Sequence, residues 1–188
     1  MSPLLQTFAN GSALGYRSRG AGAIAAYESI ATVSVGSGGS SSVTFSSIPS
    51  TYTHLQVRAV VLTSTSTNYL LGFNGDSGAN YTAHRIEGNG SSVGAAAFTG
   101  IGRSYIGFIP NTSYPSTCII DILDYANTNK YKVSRTLEGS DVNGATGYMT
   151  FWSGMWLNTA AINAVNIVPV SGNFAQYSHF ALYGIKSA

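Results

Sequence analysis

From Tyr27 onward the chain is interrupted at intervals of roughly 10 to 15 residues by Gly, Asn, Ser or Pro, and the segments between are short, β-branched and aromatic. No stretch carries apolar residues at sustained helical spacing, so the chain has little to build a helix bundle or an α/β fold from. The clearest strand is 54–62, where Leu55, Val57, Ala59 and Val61 alternate with His54, Gln56, Arg58 and Val60. That period of two puts one side against a core and leaves the other mostly polar, as in a half-buried antiparallel strand. Strands are also predicted over 27–35, 42–48, 69–73, 81–87, 105–109, 117–125, 131–138, 148–153, 162–168 and 178–186. Asn74-Gly75, Asn89-Gly90, Asn143-Gly144 and Gly36-Ser37-Gly38-Gly39 supply residues that tolerate positive φ in the turns between them. The expected architecture is all-β: eight to eleven antiparallel strands in two sheets, a β-sandwich of jelly-roll type, with an extended N-terminal arm.

Composition agrees with strands and adds a hint about surroundings. Only 9% of the 188 residues are charged, whereas a soluble monomer usually has about a quarter; 44% are hydrophobic, and the difference is made up by 22 Gly, by Ser, Thr and Asn, and by 12 Tyr. Such a chain reads as a β-protein built to sit among neighbours.

Two regions are distinguished. Residues 1–26 hold isolated anchors in Gly- and Ala-rich sequence that returns too little apolar burial to offset the cost of ordering it. Extended at about 3.3 Å per residue, this arm spans on the order of 85 Å, enough to cross onto another subunit. Residues 27–188 form the β-domain, 162 residues once the arm is set aside.

Charge and motif content argue against several functions. The net charge of +2 is scattered, and the densest basic group, Lys130, Lys132 and Arg135, reads as a solvated strand edge rather than a nucleic-acid patch. Met1–Phe8 lacks the pattern of a secretory signal, and no run reaches the roughly 20 apolar residues of a membrane span, so neither a membrane role nor an oxidising compartment is expected. Cys118 is the lone cysteine and reads as a small buried hydrophobe. Gly90-Ser91-Ser92-Val93-Gly94 matches G-x-S-x-G, but that signature works only where a strand turns sharply into a helix, and Ser92 lies in a Gly/Ser loop.

His54, His84 and His179 fall in no metal-ligand or acid–base spacing. Asp121 and Asp124 are placed on opposite strand faces, and Asp76 and Asp141 each supply one carboxylate to a loop, which suits Asx turns better than a calcium cage. No catalytic group, cofactor or metal is expected. Tyr148, Trp152 and Trp156 read as core aromatics or, if exposed, as a platform on which a sugar could stack, with Gly154 breaking the strand between the two tryptophans.

Three passages of the body carry a resemblance. Tyr27-Glu28-Ser29-Ile30-Ala31-Thr32 followed by a Gly/Ser loop and the run from Thr44 to Leu55 form the first, and Phe73-Asn74-Gly75-Asp76 with the run from Ile120 to Lys130 form the second. Gly172-Asn173-Phe174 with Phe180-Ala181-Leu182-Tyr183-Gly184-Ile185-Lys186 is the third. Together they resemble virion structural proteins of tailed bacteriophages, especially those of cyanophages, over nearly the whole chain after residue 26. Phe8-Ala9-Asn10-Gly11-Ser12-Ala13-Leu14-Gly15-Tyr16 is similar to N-terminal pieces of phage head and tail proteins, although Leu14 stands where an Arg is common.

The resemblance implies a non-enzymatic, trimeric jelly roll on the virion, assembled in the host cytoplasm. Because the β-domain leaves no room for a fibre shaft, a capsid cement protein is expected, its arm clamping neighbouring capsomers of the major capsid protein or other virion proteins. Leu4, Leu5, Phe8 and Tyr16 would bury apolar area in shell grooves while Arg17 and Arg19 supply charge-assisted hydrogen bonds. The alternative is a tail-fibre head recognising host-surface glycans through Tyr148, Trp152 and Trp156.

Overall fold

The computed structural model describes residues 27–110, 112–142 and 147–186. Among these are twelve strands and no helix: β1 (Tyr27–Ser34), β2 (Val43–Phe45), β3 (His54–Val61), β4 (Thr67–Phe73), β5 (Tyr81–Gly88), β6 (Val93–Ile101), β7 (Ser104–Ile109), β8 (Ser116–Leu123), β9 (Lys132–Ser140), β10 (Tyr148–Trp156), β11 (Val165–Pro169) and β12 (His179–Ile185). The arm residues Leu4, Leu5, Phe8, Tyr16, Arg17 and Arg19 lie outside the described residues.

The strands form two antiparallel sheets, one of eight in the order β1-β12-β3-β8-β9-β10-β5-β6 and one of four in the order β2-β11-β4-β7. A jelly roll is contained within this arrangement. β1 pairs with β12, β2 with β11, β3 with β8 and β4 with β7, and successive strands of each half alternate between the sheets. Two hairpins are added to that frame: β5–β6 is inserted between β4 and β7, and β9–β10 between β8 and β11. Both extend the larger sheet beyond the edge of β8, so one sheet is twice as wide as the other.

Where the sheets overlap, the inward residues of alternating strands make the core. Leu55, Val57, Ile120 and Leu182 of the large sheet face Leu71, Phe73, Val165 and Ile167 of the small one, all buried. Each such side chain contributes about 1.5 to 3 kcal/mol relative to an exposed one.

The structure corrects two sequence-level boundaries. Residues 93–101, where no strand is predicted, form β6, because alanines and glycines carry no β-branched signal yet fit a strand paired along one side to β5. Gly154 does not break β10, which runs through to Trp156. A Cβ at residue 154 would lie 2.2 Å from Ser104 Oγ and 2.7 Å from Ser134 Oγ, so glycine there reflects close approach of neighbouring strands.

Candidate interaction surface

The two faces of the large sheet are covered very differently. Over β9, β10 and β5 the inner face is covered chiefly by β7, the edge strand of the small sheet, with Phe73 of β4 reaching Trp156. Under this thinner cover the inward face of β9 is polar: Lys132, Ser134, Thr136, Glu138 and Ser140 are all buried. Lys132 was expected on a solvated strand edge. Instead its Nζ donates to the carbonyls of Asn127, Lys130 (3.0 Å) and Thr159 (2.9 Å), and burial together with the Lys130 charge pushes its pKa down. Lys130 pairs with Asp124, which leaves Arg135 as the outward charge of this group.

Glu138 accepts a hydrogen bond from the Thr150 hydroxyl. Burial pushes its pKa up to about 7, against the opposing pull of the Thr150 and Ser116 hydroxyls and the Phe108 amide; the nearby Glu87 charge raises it further.

The candidate sugar platform does not form from the tryptophans. Trp152 and Trp156 are both 1% exposed, on the inward side of β10. Trp156 packs with Phe73 and Tyr81, and its Nε1 donates to Asp76 Oδ2 at 2.7 Å. Trp152 packs against the contacting pair Tyr105 and Phe98, with the Arg85 guanidinium 5.3 Å from its ring centre. Tyr148 is half-buried, edge-on to Phe108. These aromatics are packing groups, as large rings usually are.

The polar candidates from the sequence also have local partners. Asp76 accepts from Gly78 N (2.8 Å), Asn80 Nδ2 and Trp156 Nε1, and these bonds hold its pKa below the ordinary carboxylate value. Ser92 stands in the turn between β5 and β6, where Asn89 Oδ1 accepts from its amide (2.8 Å) and its hydroxyl (3.1 Å). Among the described residues no three His, Cys, Asp or Glu side chains are grouped as metal ligands. Buried Cys118 has its thiol pKa pushed up to about 12 by burial.

What remains is the outer face of the large sheet. Strand register sorts its outward side chains into lateral rows. One row runs Arg58, Ile119, Leu137, Phe151, Ile86 across β3, β8, β9, β10 and β5. On one side of it Val60 and Met149 occupy the next row, separated by Thr117 and Gly139. On the other side runs a polar row, Gln56, Asp121, Arg135, Ser153, His84, followed by Leu123, Val133 and Met155. Leu137 is 52% exposed and Met149 69%, and Ile119, Phe151, Ile86 and Val60 are exposed as well.

Hollows of about 560 Å³ around Val60, Ile119 and Leu137 and about 530 Å³ around Ile86, Ala95 and Phe151 roughen this face. Monomeric proteins seldom leave a contiguous apolar patch of more than a few hundred Å² in water. Sequence reasoning noticed the outward Val60 but not the surface, because the rows exist only after β8, β9, β10 and β5 are aligned.

Comparison of the chain with protein-family models and with curated proteins finds no match to either.

Proposed function

We propose that this chain is a non-enzymatic structural protein of a tailed-phage virion, a cement that clamps the capsid shell through its N-terminal arm while its β-domain associates with copies of itself. The observation that supports this reading is the outer face of the eight-stranded sheet: broad, apolar in rows, and enlarged by two hairpins beyond the jelly-roll frame. Adhesion by such a face draws on burial at about 25 cal/mol per Å², and several weak contacts joined in one assembly dissociate slowly. In this reading Leu4, Leu5, Phe8, Tyr16, Arg17 and Arg19 of the arm reach a neighbouring capsomer, and the β-domain associates with copies of itself.

The test is to add the purified chain to phage shells that lack it and measure occupancy and resistance to heat. Saturable binding that raises shell survival, and loses most of that gain when residues 2–26 are deleted, is expected. A chain absent from purified virions and without affinity for shells would refute the proposal.

A further inference from the structure

We propose that a second copy of this chain docks face to face on the outer face of the eight-stranded sheet, about a two-fold axis lying in the interface and running along the strands between β8 and β9. It rests on the adhesive reading of this face and names its partner.

A two-fold axis in that position sets each outward residue of β8 against its lateral neighbour on β9 of the other copy, and likewise β3 against β10. The register then fixes who meets whom. Asp121 is the lateral neighbour of Arg135, so each Asp121 faces the partner's Arg135. Ile119 faces Leu137 and Leu123 faces Val133, apolar against apolar. One strand further out, Val60 faces Met149, and Arg58 lies over the Phe151 ring. An axis along any other gap of the sheet loses the central charge pair, because Asp121 and Arg135 are adjacent only across β8 and β9.

Two further observations favour a second copy as the occupant. Asp121 and Arg135 are neighbours across β8 and β9 of one chain but close no ion pair there among the described residues; Arg135 is exposed and Asp121 holds the neutral Gln56 Nε2 at 2.7 Å, so both charges can turn to the partner copy. Size is sufficient too: eight strands about 4.8 Å apart and about eight residues long present on the order of 900 Å², near the roughly 800 Å² each partner contributes to a stable complex. Facing sheets pack about 10 Å apart, which side chains of this length fill.

The resemblance to phage proteins implies three copies, whereas this face fits two. Light scattering on the full-length chain separates them: a particle of two 19.6 kDa chains is expected. Asp121→Arg and Arg135→Asp should each weaken pairing by more than about a hundredfold, since each sets like charges face to face. Mixing the two variants should restore pairs, because the arginine-bearing face of one meets the aspartate-bearing face of the other; Leu137→Glu should abolish pairing without rescue.

A monomer at all concentrations, a trimer, single variants that stay paired, or a mixture that stays unpaired would each overturn the proposal. Pairing abolished only by deleting residues 2–26 would assign the contact to the arm and also overturn it. Shell binding by a chain that never pairs leaves the virion reading intact, so the two proposals fail separately.

Discussion

Gly184 lies beneath the ring of Tyr52, where a Cβ would come within 2.3 to 2.5 Å of three ring carbons. A rigid ring cannot yield as a flexible side chain does, and Tyr52 is held besides by its hydroxyl on Glu28 Oε2 at 3.0 Å. Gly184→Ala is therefore expected to destabilise the domain by about 1 to 3 kcal/mol, read as a lower urea midpoint with an unchanged slope. Asp76 shows the same dependence on partners distant in sequence. Its turn was legible from Asn74-Gly75-Asp76-Ser77-Gly78, and its bond to Trp156 Nε1 was not, because a loop sequence carries no record of which indole will arrive beside it.

At the scale of the element, β9 is the instructive strand. Its alternation is regular, but Lys132, Ser134, Thr136, Glu138 and Ser140 point inward while Val133 and Leu137 point out, the reverse of a soluble amphipathic strand. Glu138 makes this arrangement depend on pH. Because its folded pKa of about 7 lies above the unfolded value, folding favours the protonated acid; stability from this group is full below about pH 4.5 and is lost as pH rises through 7. Glu138→Gln is expected to remove that dependence and to stabilise the domain above pH 8 by on the order of 3 kcal/mol. Urea titrations of parent and variant at pH 5 and pH 8.5 measure it; a parent no less stable at the higher pH would contradict the assignment.

At the scale of the whole molecule, each jelly-roll pair except β4/β7 joins strands far apart in sequence, and β1 finds its partner only when β12 has been made. Loops must close before such pairings return any free energy, so refolding is expected in milliseconds to seconds, slower than helical domains of similar stability. Stopped-flow tryptophan fluorescence reads this directly through Trp152 and Trp156, both interior. Removal of residues 179–188 should leave β1 and β3 without their shared neighbour and abolish the cooperative unfolding transition.

By itself, the sequence determined the all-β class, most of the strands and the turns between them. Period-two alternation and Asn-Gly pairs act over a few residues and leave their mark locally. Tertiary structure alone decided which side of each strand is covered. Alternation defines two faces without saying where the second sheet will lie, so Trp152 and Trp156 went to the interior, Leu137 and Phe151 to the surface, and an alanine-rich run became β6. The rows of the outer face have the same origin, since they follow from register between strands that the chain brings together from distant positions.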